Sequence, residues 1–135
     1  MKNYAVVIFI FSGSILNCSK ERGTSNEDFD FHKFCLTAGS WTIAQYISDN
    51  MEYTENYVEY VLKFEENGNI VVTNNTGATS GSWAITYTGG EVSLEFNFDG
   101  PNDFQMLNAK WSYLENGPNA IGLHINYTKF LKFSK

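Results

Sequence analysis

Side chains suited to acid–base chemistry are numerous in this chain, but their spacing does not assemble a catalytic group. The 135 residues include 15 acids and two histidines. A glycoside hydrolase holds two carboxyl groups at a fixed separation, whereas Glu91 and Glu95 fall on the solvent side of one strand pattern. No Ser–His–Asp arrangement and no phosphate-binding glycine loop is evident. We therefore expect a protein that is not an enzyme, without catalytic residues.

Two short segments contain potential metal ligands. Range 99–103 offers the oxygen ligands that Ca²⁺ favours, but its spacing differs from the twelve-residue EF-hand loop. His32 and Cys35 have the spacing of a pair on one helix face, yet a structural zinc site needs four ligands and no second pair exists. We expect neither a metal nor a cofactor.

The composition describes one acidic globular domain. The formal net charge is −6, and Arg22 is the only arginine. Because nucleic-acid binding depends on lysine and arginine at phosphates, we expect no nucleic-acid partner. Aromatic residues make up 16% of the chain, which favours strands and packed interiors.

The N-terminus has the pattern of a secretory leader. Lys2 is followed by an apolar run and then by small residues that end at Cys18. The apolar run is shorter than the roughly 20 residues that a membrane-spanning helix needs. The sequence therefore predicts a signal peptide over 1–17, rather than a membrane-spanning anchor.

The end of this leader, Ile15-Leu16-Asn17-Cys18, resembles the lipobox of bacterial lipoproteins. The resemblance implies a lipid on Cys18, a flexible polar tether over 18–28 and a location in the bacterial cell envelope, as an outer-membrane lipoprotein. A disulfide between the two cysteines is the alternative. If Cys18 carries the lipid, Cys35 is a lone buried thiol.

The domain at 29–135 is predicted to begin with a short helix at 28–36, which strands separated by turns follow. Apolar and polar residues alternate along each strand, and Asn67-Gly68 and Gly89-Gly90 are typical of tight hairpins. The eight predicted strands are 40–48, 57–65, 69–74, 81–87, 91–98, 109–115, 120–127 and 129–134. The alternation places Val58 and Tyr127 on inward faces, and Tyr57 and His124 on outward faces.

Eight consecutive strands predict an all-β fold, an antiparallel up-and-down barrel with a short N-terminal helix. Closure removes the unpaired edges that an open meander would leave. A two-sheet β-sandwich is the alternative fold. Trp41 and Trp83 lie in register with inward-facing residues and are expected in the core.

Four segments together resemble the small lipocalin-like lipoproteins of Gram-negative bacteria. They are Gly39-Ser40-Trp41, Phe64-Glu65-Glu66-Asn67-Gly68, Gly81-Ser82-Trp83 and Leu131-Lys132-Phe133. The resemblance covers nearly the whole chain and implies a lipocalin-like barrel with a binding role. It also implies a cation stacked on Trp41, with Lys129 or Lys132 in place of an arginine.

The inward strand faces are apolar enough to suggest a site for one small apolar or amphipathic ligand inside a monomeric barrel. The residues expected to line it are Tyr60, Leu62, Phe64, Trp83, Tyr87, Leu94, Phe96 and Leu123. In the alternative, side chains fill the barrel, and loops at 49–56 and 99–108 contact a protein or a glycan at the envelope.

Overall fold

A computed structural model describes residues 25–135, with side chains from Asp30 onward. The predicted leader, Cys18 and most of the predicted tether lie outside the described residues.

The described chain contains one long helix, nine strands, a 3₁₀ turn and one short helix. In chain order they are α1 (Ser25–Thr37), β1 (Ser40–Ser48), β2 (Met51–Glu52), the 3₁₀ turn (Thr54–Tyr57), β3 (Val61–Phe64), β4 (Asn69–Asn74), β5 (Gly77–Thr88), β6 (Glu91–Phe98), α2 (Asn102–Gln105), β7 (Lys110–Asn116), β8 (Ala120–Ile125) and β9 (Lys129–Ser134).

Eight of these strands form a closed antiparallel barrel. Strands β3 to β9 pair in sequence order, β1 pairs with β3 on one side, and β1 pairs with β9 on the other. The two-residue strand β2 pairs only with the end of β1. The predicted up-and-down barrel is confirmed, because the β1–β9 pairing closes the sheet and leaves no second sheet for a sandwich.

The meander gives the barrel two distinct ends. At the helix end, α1 leads into β1, and tight turns join β3 to β4, β5 to β6 and β7 to β8. At the loop end, 49–60 joins β1 to β3 and 99–109 joins β6 to β7. The two long connections therefore meet at the end opposite α1.

The prediction for the second strand is wrong in its first half. Range 57–65 was expected to be one strand with Val58 inward and Tyr57 outward. Instead the chain forms a 3₁₀ turn that ends at Tyr57, and β3 begins at Val61. Tyr57 is fully buried and Val58 is 61% exposed. The reason is that β1 and β3 share only two paired positions, Ser40↔Lys63 and Trp41↔Leu62. The chain before β3 therefore folds over the barrel end instead of extending the sheet.

Two further expectations concern the ends of strands. Strand β5 begins at Gly77, four residues before the predicted start at Gly81. Strand β8 ends at Ile125, so Tyr127 lies in the following turn with φ of 58° and is 68% exposed, not inward-facing. Its ring stacks on His124 at 4.0 Å, and His124, expected to face solvent, is only 8% exposed.

Candidate functional site

Most of the predicted ligand-lining residues do face the barrel interior. Six of them are buried: Leu62, Phe64, Trp83, Leu94, Phe96 and Leu123. The predicted core positions of Trp41 and Trp83 are confirmed as well, at 0% and 8% exposed. The alternation of these strands was therefore a sound guide to which faces point inward.

Aromatic rings contact one another inside the barrel. The Phe64 ring lies 5.6 Å from Phe133 and 6.0 Å from Phe96, measured between centroids. Phe96 contacts Phe98 at 5.5 Å, and Phe98 contacts Phe104 at 5.1 Å. These separations are those of rings in direct contact. The described side chains thus occupy the space in which a ligand was expected.

The helix end is closed by α1 and Trp41. The Trp41 Nε1–H donates to the Leu36 carbonyl at 2.9 Å, and both residues are fully buried. His32 of α1 meets Tyr113 of β7 edge to face at 4.5 Å. Burial raises the pKa of Tyr113. The helix therefore covers this end of the barrel.

A lysine does stack on Trp41, but it is neither of the two expected. The Lys135 Nζ lies 4.6 Å from the indole centroid and also donates to the Ala38 carbonyl. Desolvation lowers the pKa of Lys135. Lys129 instead pairs with Asp49 at 3.0 Å, at the other end of the barrel. Lys132 alternates to the outer face of β9, between the buried Leu131 and Phe133.

The loop end is closed by the two long connections. Tyr57 and Phe104 are both fully buried and their rings meet at 5.2 Å. The Tyr57 hydroxyl donates to the Asp103 carbonyl at 2.5 Å. Burial raises the pKa of Tyr57, and the nearby Tyr46 and Asp103 raise it further. A tyrosine from one loop and a phenylalanine from the other therefore cover this end of the barrel together.

Two predicted ligand residues do not lie in the lumen. Tyr87 is 42% exposed near the end of β5, so its interior placement is wrong. Tyr60 is half-buried and packs from the edge of the core, with its ring perpendicular to Phe104 at 4.9 Å. Tyr60 therefore sits at the mouth of the barrel rather than inside it.

The better-formed surface clefts of the described residues include the following three. The first, about 270 Å³, lies at the loop end between Tyr60, the β4–β5 turn and Pro101, with the buried Val72 at its base. The second, about 340 Å³, crosses the outside of β4, β5 and β6. The third, about 410 Å³, follows range 52–56. Two of the three clefts are therefore formed by loop-end residues.

Of the residues that line the first cleft, only Tyr60 was predicted from the sequence to bind a ligand. Val72, Thr79 and Pro101 were not predicted. The Thr79 hydroxyl donates to the Gly100 carbonyl at 2.9 Å, which ties the start of β5 to loop 99–109. The available signal was the length of this loop, which had already been singled out for partner contact. Nothing in the local sequence indicated that its proline would lie opposite Tyr60.

The expectation for Cys35 needs correction. Cys35 is fully buried and disulfide-bonded, so it is not the lone thiol that was predicted. That prediction followed from assigning Cys18 to a lipid, since one sulfur cannot carry both a thioether and a disulfide. Cys18 is the other cysteine of the sequence and lies outside the described residues. Its lipidation stays a prediction.

Within residues 25–135, no three His, Cys, Asp or Glu side chains come together in a group that could hold a metal ion. No helix in this part of the chain is long and apolar enough to span a membrane.

No protein-family model matches the sequence, and no curated protein matches it either. Among solved structures, a DUF4847 family protein from Bacteroides vulgatus is similar, with a TM-score of 0.54, 16% identity, and coverage of 73% of this chain and 93% of that one. A lipocalin-like protein from Bacteroides uniformis is also similar, with a TM-score of 0.50, 14% identity, and coverage of 73% and 97%. At these identities the likeness concerns the fold alone, and that fold is lipocalin-like.

Proposed function

We propose that this chain is exported to the bacterial cell envelope and that its barrel is an interaction module that binds at its loop end. The observation that carries the proposal is the packed lumen. The Phe64, Phe96 and Phe133 rings are in mutual contact at 5.6 to 6.0 Å. Since side chains occupy the interior, binding is assigned to the outer surface.

The position of α1 favours the loop end over the other surfaces. The helix follows the predicted tether and joins the barrel at the helix end. Since α1 covers the helix end, the loop end is the end of the barrel that remains accessible to a partner. The loop end also exposes the apolar side chains of Met51, Val58 and Met106, at 59%, 61% and 47%.

A dye-binding experiment tests whether the lumen is closed. The neutral apolar dye N-phenyl-1-naphthylamine is titrated into the wild type, Phe96→Ala and Phe130→Ala. Phe96 is 2% exposed in the lumen, whereas Phe130 lies on the outer face of β9. The cavity left by one phenyl ring admits molecules of about the size of benzene, which is smaller than this dye. We therefore expect no saturable fluorescence with the wild type or Phe130→Ala, and binding of benzene, followed by amide shifts in NMR spectra, only with Phe96→Ala.

Saturable binding of one dye per wild-type chain, displaced by a fatty acid, would contradict the proposal. It would favour a small apolar ligand inside the barrel instead. The wild-type measurement decides this point even if Phe96→Ala fails to fold.

Cell fractionation and non-reducing electrophoresis decide between the two uses of Cys18. If Cys18 carries the predicted lipid, Cys18→Ser should release the protein from membranes and Cys35→Ser should not. If Cys18 instead pairs with the disulfide-bonded Cys35, neither substitution should change the fractionation, and both should change the mobility of the non-reduced protein.

A further inference from the structure

The first loop-end cleft, which we name the Tyr60 cleft, has a lining unlike the rest of this acidic protein. Its base and one wall are Tyr60, Val72 and Pro101, and its rim includes Asn74, Thr76 and Thr79. None of the eight residues that line it is Asp, Glu, Lys, Arg or His. In a chain of 15 acids and nine basic residues, this composition favours an uncharged ligand.

Hydrogen bonds within the β4–β5 turn hold the rim of the cleft, and two polar groups of the cleft have no partner among the described residues. The Asn74 Oδ1 accepts hydrogen bonds from the Thr76 amide at 2.9 Å, the Thr76 hydroxyl at 3.0 Å and the Gly77 amide at 3.2 Å. These bonds fix the β4–β5 turn. Among the described residues, neither the Asn74 Nδ2 nor the Tyr60 hydroxyl has a hydrogen-bond partner in the protein. Both are therefore available to a ligand.

Packing against a buried phenylalanine restricts the Tyr60 ring. It meets the fully buried Phe104 at 4.9 Å with an angle of 81° between the rings. A tyrosine with few rotatable bonds, fixed by packing, offers apolar contact area at a low cost in conformational entropy. The cleft thus combines a fixed aromatic wall, a small apolar base and a neutral hydrogen-bonding rim.

We propose that the Tyr60 cleft binds one uncharged sugar ring of a larger glycan. A pyranose has an apolar face of C–H groups that packs on an aromatic ring, and hydroxyls that reach neutral donors and acceptors. The cleft volume of about 270 Å³ is below the roughly 300–1,000 Å³ of pockets for drug-sized ligands, so it accommodates a single ring. The cleft is open to solvent on one side, where the rest of a polymer would continue. This inference rests on the proposed function, because it names the ligand class at the loop end.

The test is an NMR titration of the complete mature chain, purified in detergent, with neutral sugars. The probes are glucose, galactose, mannose and N-acetylglucosamine with their short oligosaccharides, and glucuronate is the charged comparison. We expect saturable shifts of backbone amides in range 74–79 with at least one neutral oligosaccharide. We expect binding of glucuronate to be at least ten-fold weaker.

Variants separate the cleft from the rest of the surface. Tyr60→Ala should weaken binding at least ten-fold, whereas Tyr60→Phe keeps the ring and should weaken it only a few-fold. Tyr87→Ala removes an exposed tyrosine at the other end of the barrel and should have no effect. Ala78→Arg adds a long charged side chain at an exposed lining position without removing a buried contact, and should also weaken binding at least ten-fold.

Three results would overturn the inference. They are no saturable binding of any neutral sugar, equal binding by the wild type, Tyr60→Ala and Ala78→Arg, or amide shifts confined to range 52–56. If a fatty acid, and no sugar, shifts the amides of range 74–79, the ligand class is wrong while loop-end binding stands. Dye binding in the wild-type lumen would instead contradict the proposed function itself.

Discussion

Replacement of Trp41 tests how the helix end of the barrel is held closed. The side chain is 0% exposed, and its Nε1–H donates to the Leu36 carbonyl at 2.9 Å. Truncation of a buried tryptophan to alanine costs about 3–5 kcal/mol. Domains of this kind have a total stability of about 5–15 kcal/mol. We expect Trp41→Ala to lose a large share of the free energy of unfolding.

Two milder substitutions divide this effect into its parts. Trp41→Phe keeps a ring but leaves the buried Leu36 carbonyl without its donor, which costs about 1–3 kcal/mol. Lys135→Met removes the cation that lies 4.6 Å from the indole centroid. A cation–π contact at an exposed site contributes about 0.5–1 kcal/mol. The expected order of destabilisation is therefore Trp41→Ala, then Trp41→Phe, then Lys135→Met.

Urea denaturation followed by far-ultraviolet circular dichroism measures these differences, and the three variants should keep the wild-type m-value. A loss below about 1 kcal/mol for Trp41→Ala would refute the core position of this residue, since surface substitutions stay near 0.5 kcal/mol. If Trp41→Phe is as stable as the wild type, the bond to the Leu36 carbonyl contributes nothing, and α1 is held by other contacts.

Three further predictions concern the remainder of the barrel. Because the folded state raises the pKa of Tyr57, the unfolded chain ionises first, so stability should fall as the pH rises above about 10. Tyr57→Phe should reduce that fall in urea titrations at several pH values, and Tyr113, whose pKa burial also raises, should account for the part that remains. A Cβ on Gly81 would lie 2.8 Å from the Asn97 carbonyl oxygen, so Gly81→Ala should cost about 1–3 kcal/mol, whereas Gly117→Ala, with 3.6 Å to its nearest atom, should be near neutral by thermal melting. The Asn108 amide accepts from the Phe98 N–H at 2.6 Å and donates to the Phe98 carbonyl at 3.2 Å, so Asn108→Ala should cost about 1–3 kcal/mol in the same assay; an unchanged melting temperature would contradict this.

The sequence alone determined the fold class and most of the strands. Strands β4, β6 and β9 coincide with the predicted ranges because each alternates cleanly and is bounded by turn residues. Alternation also identified the inward faces, because successive side chains on a strand point to opposite sides. Local pattern was sufficient for these strands.

Local pattern was insufficient where the chain leaves the sheet. The segment before β3 alternates like a strand, yet Tyr57 inserts over the barrel end and Val58 faces solvent. The deciding factor is the short β1–β3 pairing, which depends on residues far apart in the sequence. The lysine on Trp41 was misassigned for the same reason, since the pairing of Ser134 with Thr42 of β1 brings the next residue, Lys135, to the indole.

Whether the lumen is open or filled was decided by tertiary structure alone. The sequence named Phe64 and Phe96 as inward-facing, but inward side chains can either line a cavity or close it. The outcome depends on the summed volume of rings from several strands, and on Phe104, which reaches the same space from a loop. Because these rings contact one another, they take up space that a ligand would otherwise occupy. Tyr60, at the edge of that packed core, thereby became part of a surface cleft.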